Sequence, residues 1–156
     1  MVKVYSKTDF ELVMDANWLS DENVEESSNA FISITGHIDQ ENHWFEGNHL
    51  NVLNLRFDDI NQDELKIPII GEGESIAKGI SKEQARDIVD FVLDNKDKDF
   101  HVHCHAGISR SGAVGSFIAQ ILHHDTREFF AQHPHIHPQQ RVLRMLKEEA
   151  RNRGLL

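Results

Sequence analysis

The chain has a single cysteine, Cys104, among its 156 residues. One cysteine cannot close an internal disulfide, so a reducing, cytoplasmic setting is expected. Basic residues are also scarce: 16 lysines and arginines stand against 26 acids, a net charge of −10. So acidic a chain is not built for general binding to nucleic acid or anionic membranes. No apolar run approaches about 20 residues, so no membrane span is expected. The first ten residues lack the apolar core of a signal peptide. Repeats, low-complexity tracts and linkers are absent from the sequence. Its length suits one domain, residues 1–156, with a real core. The expected state is a monomer.

The charge is uneven. Residues 1–99 hold 9 basic and 22 acidic residues, whereas residues 100–156 hold 7 and 4. The positive part contains the stretch around which the chain is organised, His103-Cys104-His105-Ala106-Gly107-Ile108-Ser109-Arg110-Ser111-Gly112. An apolar, β-leaning run, residues 100–103, precedes it. Ala113, Val114, Phe117, Ile118, Ile121 and Leu122 follow at helical spacing. The cysteine is therefore expected at a strand end, in a short loop that feeds a helix N-terminus. Such a loop can turn backbone N–H groups inward, beside the unpartnered donors of the helix's first turn. Gly107 permits a backbone conformation that a side chain would hinder. Arg110 adds a planar fork that fits two oxygens of one phosphate. The same positive field favours Cys104 as a thiolate, facing a bound phosphate.

The rest of the chain reads as α/β. Strands are expected at 2–5, a short edge strand, and at 30–35 and 49–57, the last a core strand. A capping box at Thr8-Asp9-Phe10-Glu11 opens a short helix with Phe10, Val13 and Met14 inward. A solvated loop is expected at 20–29, a structured loop at 36–48, and an irregular surface crossing at 61–79. A second capping box, Ser81-Lys82-Glu83-Gln84, opens a helix with Ala85, Ile88, Val89, Val92 and Leu93 on one face. Further helices are expected to about 122, at 127–131, and from Pro138 to 153, with Gly154 as C-cap. The pattern predicts a small, mostly parallel central sheet flanked by helices. Ligands in such sheets bind at strand C-terminal ends, where both Cys104 and the Asp58-Asp59 pair fall.

The stretch HCHAGISRSG resembles the signature loop of cysteine-dependent protein phosphatases. It is most similar to the dual-specificity branch, which favours A-G-x-S-R-S. The resemblance implies that family's α/β fold and a phosphocysteine intermediate formed on Cys104. It implies a phosphate cradle of His105, Ala106, Gly107, Ile108 and Ser109, clamped by Arg110. His103 would order the loop from behind. Ser111 would donate to the sulfur, which helps it leave again. It also implies a separate aspartic acid, after the strand that precedes the cysteine strand. The match is Leu53-Asn54-Leu55-Arg56-Phe57-Asp58-Asp59. By register the acid falls on Asp59, with Asp58 the second candidate. Failing both, segment 61–79 holds Asp63, Glu72 and Glu74.

Eleven histidines raise the question of a metal. His101, His103 and His105 alternate, as do His133, His135 and His137, the latter among prolines in an expected surface loop. Neither set has the carboxylate or cysteine partners of a defined site, so no metal and no cofactor is expected. The signature loop holds no lysine, of the kind that phosphoinositide phosphatases place there. With no tyrosine-bearing recognition loop, a shallow pocket open to phosphotyrosine, phosphoserine and phosphothreonine is expected. The expected partner is a phosphorylated protein or a small phosphomonoester. A phosphatase for nucleotides, sugars or RNA 5′ ends, and a phospho-reader without turnover, are the alternatives.

Overall fold

The computed structural model describes residues 1–71, 73–122 and 124–156. Glu72 lies outside the described residues. Four parallel strands form the central sheet: β1 (Val2–Tyr5), β2 (Asn29–Thr35), β3 (Val52–Arg56) and β6 (Asp99–His103), in the order β1-β6-β2-β3. The expected α/β class and parallel sheet are thus observed. The strands alternate as pleated strands do. Val2, Val4, Ala30, Ile32, Phe100 and Val102 join the larger core, against α2 (Lys82–Asp94), α3 (Arg110–Ile121) and α5 (Gln140–Asn152). Phe31 and Val52 face the other way, into a second core with Phe10 and Met14 of α1 (Lys7–Ala16). Among the described residues, no helix is long and apolar enough to cross a membrane.

Helix α3 follows the signature loop and is buried nearly all round, from Arg110 to Ile121. Such a helix fits only in the middle of a layer. Its position fixes where the loop before it can be. The expected capping box on α2 is present, with Ser81 and Gln84 bonding each other's backbone N–H.

Several elements differ from the sequence reading. Helix α1 starts earlier, because Ser6 and not Thr8 accepts from the N–H of Asp9. The third strand is shorter than 49–57 and lies at the sheet edge, with Leu50 exposed. Loop 20–29 contains a 3-10 turn that buries Val24 completely. Gln139 caps α5, so Pro138 precedes that helix instead of opening it. The segment expected to be irregular is an antiparallel hairpin, β4 (Glu64–Ile69) with β5 (Gly73–Lys78). Its register pairs Leu65 with Ala77 and Ile67 with Ser75.

The His-Pro segment also differs. It was expected at the surface, yet His133 and Ile136 are buried. Edge strand β1 leaves the N–H of Val4 without a sheet partner on that side. His133 Nε2 accepts it at 3.1 Å, while His133 Nδ1–H donates to the Phe129 carbonyl at 2.8 Å. A buried backbone donor must find such a partner. A helix, α4 (Thr126–Gln132), carries His133 into place.

Candidate active site

Cys104 continues the alternation of β6 and points toward the helix layer, only 2% exposed. Its Sγ lies 3.0 Å from Oγ of Ser111, a fully buried residue in the first turn of α3. Helix geometry after a short loop is what brings residue 111 back to residue 104. Ser111 is therefore turned to the sulfur.

Both flanks clasp the loop by its carbonyls. The N–H of Lys7 donates to the His105 carbonyl at 3.0 Å. The N–H groups of His137 and Gln139 donate to the carbonyls of Ile108 and Ser109, each at 3.0 Å. The His-Pro segment thus braces the loop, a role its composition did not suggest. Among the described residues, the N–H groups of residues 105–110 have no backbone partner outside the helix. Such a run of unspent donors is what an anion cradle requires. Gly107 has φ +72, and a Cβ there would come within 2.5 Å of the Ser6 nitrogen and the Tyr5 carbonyl carbon. Only glycine fits both that conformation and that contact.

Arg110 is 6% exposed. Its Nη1 donates to the Phe57 carbonyl at 3.0 Å. Its Nε is buried with no hydrogen-bond partner, and its Nη2 reaches only Asp39, at 3.9 Å. One edge of the guanidinium is anchored while the Nε/Nη2 edge is unspent. A buried donor left unpaired costs about 1–3 kcal/mol, a cost that a bidentate anion removes.

The two adjacent aspartates have different surroundings. Asp58 is 6% exposed and is bound by backbone. Its Oδ1 accepts from the N–H of Ile38 at 3.2 Å, and its Oδ2 from that of Lys78 at 2.7 Å. It ties the base of the hairpin to the loop after β2. Asp59 is exposed, and its Oδ1 accepts from Ser109 Oγ at 2.9 Å. It is the one of the pair brought to the signature loop. Asp63 is drawn off to Arg141, and Glu74 lies on the exposed hairpin.

Behind the loop lies a polar chain that the sequence did not signal. His103 Nδ1–H donates to the Cys104 carbonyl at 3.1 Å. Its Nε2 then accepts from Ser33 Oγ–H at 2.6 Å. Ser33 accepts in turn from His43 Nδ1–H at 2.7 Å, and His43 Nε2 accepts from Thr35 at 3.4 Å. The order is consistent only when both imidazoles are neutral. Burial holds both in that form, lowering His103 and His43 alike from 6.5 to about 4. His101, bonded to Tyr5 and Asn29, is lowered by burial to about 4 as well.

These depressed values set a pH dependence of stability. Between pH 6.5 and 4 the folded chain binds fewer protons than the unfolded chain. Stability is therefore full above the unfolded value and is lost as pH falls through this window. The melting temperature should drop by several degrees from pH 7 to pH 5. A melting curve flat over that range would contradict the neutral, ordered histidine chain.

Among the described residues, no group of three or more His, Cys, Asp or Glu could hold a metal ion. His101 and His103 spend both ring nitrogens on the partners above. Two carboxylates missed by the sequence reading stand at the mouth of the loop. Asp39 faces Arg110, and Glu41 Oε1 accepts from His105 Nδ1 at 2.6 Å. Both lie on the loop after β2, remote in sequence from the signature.

No protein-family model and no curated protein matches the chain. Solved structures do. A crystal structure of PTPMT1 in complex with PI(5)P aligns over 99% of this chain and 94% of its own, with TM-score 0.52 at 17% identity. Tk-PTP in its active form aligns over 82% and 84%, with TM-score 0.46 at 17% identity. The human tyrosine phosphatase-like serine/threonine/tyrosine-interacting protein aligns over 85% and 83%, with TM-score 0.43 at 18% identity. The strand, loop and helix that carry Cys104 are thus set in a fold shared from end to end with PTPMT1, and the chain has the fold of the cysteine-dependent phosphatases.

Proposed function

We propose that the chain is a phosphomonoester hydrolase working through a phosphocysteine intermediate, with phosphorylated protein as its substrate. The observation that carries this reading is the buried, unpartnered Nε of Arg110, beside an Nη2 that makes no hydrogen bond and meets only Asp39 at 3.9 Å, next to Cys104 and Ser111. In this reading Arg110 and the N–H groups of residues 105–110 hold the phosphoryl oxygens. The Cys104 thiolate attacks phosphorus, and the ester P–O bond breaks. Asp59 delivers a proton to the departing oxygen. A water then attacks the phosphocysteine and gives a proton to Asp59. The P–S bond breaks, and the thiolate leaves with the Ser111 hydroxyl donating to it. His103 holds the Cys104 carbonyl throughout. Each step uses side chains of this chain alone.

A protein substrate is favoured because residues 105–109 include no lysine to meet further phosphates. The PTPMT1 complex contains PI(5)P, so a lipid or other small phosphomonoester is the comparison to run. A lone cysteine at the site suits the cytoplasm, and residues 1–156 read as one monomeric phosphatase domain. The test is rapid acid quench during turnover of p-nitrophenyl phosphate, followed by mass mapping. Phosphate should be found on the peptide containing Cys104. Turnover with phosphate trapped on no residue, or on another one, would overturn the reading.

A further inference from the structure

The mouth of the loop is more acidic than a phosphate site requires. Asp59 has a part in the reaction proposed above, but Asp39 and Glu41 have none. The segment that carries them is pinned in place. Arg56 donates from Nη1 to the Gly36 carbonyl at 2.9 Å and from Nη2 to the Glu41 carbonyl at 3.0 Å. The N–H of Ile38 is held by Asp58. Gly36 is packed so closely that a Cβ would strike Asp58, and would lie 3.1 Å from Asp39 Oδ2 and 3.3 Å from Arg110 Nη1. The backbone therefore abuts the guanidinium and holds Asp39 beside it.

Each carboxylate has a single counter-group there, Arg110 for Asp39 and the His105 ring for Glu41. Asp39 lies 3.9 Å from Arg110 Nη2, too far for a hydrogen bond. Arg110 itself is more than nine-tenths buried, with Nε unpartnered and one edge unspent. Glu41 gives Oε1 to His105, while its Oε2 is buried without a partner. Lys7, whose N–H braces the loop, commits its ammonium to Glu11 at 3.0 Å. A phosphate seated on Arg110 stands next to Asp39. The bound phosphate draws on the Arg110 charge, so whatever else the substrate brings to the rim meets the half-exposed Asp39 carboxylate, with Glu41 beside it. A second anionic group is repelled, and an ammonium or guanidinium is attracted.

We propose that Asp39 and Glu41 select phosphopeptides bearing lysine or arginine beside the phosphorylated residue, and discriminate against polyanionic substrates. The proposal rests on the phosphatase reading of the loop. Discrimination here comes as much from repulsion as from attraction.

The experiment compares kcat/KM for three phosphotyrosine peptides that differ only in flanking lysine, alanine or glutamate. Micelles of phosphatidylinositol 5-phosphate are run beside them. The wild-type chain should prefer lysine over glutamate flanks by about tenfold at low salt, with the ratio shrinking as salt is added. D39N/E41Q should bring the ratio close to unity, and D39K/E41K should reverse it. The single variants D39N and E41Q serve should the double variants fail to fold. A wild-type ratio near unity, a ratio unchanged in the variants, or the lipid as best substrate would overturn the proposal. p-Nitrophenyl phosphate separates the two failures. If it is not hydrolysed, the phosphatase reading fails, and the same peptides binding to Cys104→Ser without a lysine preference would sink the rim proposal separately.

Discussion

Cys104→Ser is expected to lose turnover of p-nitrophenyl phosphate by about 10⁴-fold or more, the scale on which removal of a nucleophile acts. Serine keeps the shape of the site and the partner at Ser111, 3.0 Å from the sulfur. A hydroxyl, however, is not ionised near neutral pH, so no anion is available to attack phosphorus. Phosphate binding should survive the same change. The Arg110 edge and the backbone N–H groups belong to residues the substitution does not touch. The carbonyl clasps at His105, Ile108 and Ser109 do not involve the sulfur either. The expected result is thus a split: turnover is gone, and affinity for a phosphopeptide is kept. Measurable turnover by the serine variant would remove Cys104 from the nucleophile's role. Loss of binding together with turnover would mean that the thiolate's charge, not the clasps, orders the loop.

The split depends on a part of the molecule that was legible in the sequence for a physical reason. Strand, loop and helix lie within one short stretch, and their signals are local: alternation up to His103, glycine at the tight point, helical spacing after Arg110. What holds that loop was not legible. Its braces come from Lys7, His137 and Gln139, and its rear support from Ser33 and His43. Each is an ordinary residue whose role arises only when distant segments meet. Composition also misled. Histidines and prolines at 133–138 suggested a surface loop, but the open donor of Val4 on an edge strand draws His133 inside. Pro68 and the glycines of segment 61–79 suggested irregular chain. Strand β4 accepts Pro68 because a two-stranded hairpin leaves one edge of each strand unpaired.

The choice between Asp58 and Asp59 lies at the same boundary, and it yields the second large effect. Strand register favours Asp59 by one residue, yet both side chains are carboxylates at a strand end. The structure gives them different partners. Asp59 meets Ser109 inside the signature loop, whereas Asp58 is bound by the N–H groups of Ile38 and Lys78. Asp59→Asn should cut kcat/KM by roughly 10²–10⁴, the usual range for a positioned proton donor. The loss should be deepest for alkyl phosphates, whose leaving oxygen needs the proton. It should be smallest for p-nitrophenyl phosphate, whose phenolate leaves well without one. Stability should hardly change, because Asp59 is exposed and its one bond is at the surface. Asp58→Asn should show the opposite pattern. An amide turns an N–H₂ group toward one of two backbone donors, so a buried hydrogen bond is lost at about 1–3 kcal/mol. The melting temperature should fall, and whatever activity changes should not depend on the leaving group. Four assays decide it: each variant on a good and a poor leaving group, with melting curves alongside. A leaving-group-dependent loss in Asp58→Asn with none in Asp59→Asn would move the acid by one residue. Loss in neither would require a proton donor from elsewhere at the mouth, and Asp39, 3.9 Å from Arg110, is the carboxylate placed to be tried next.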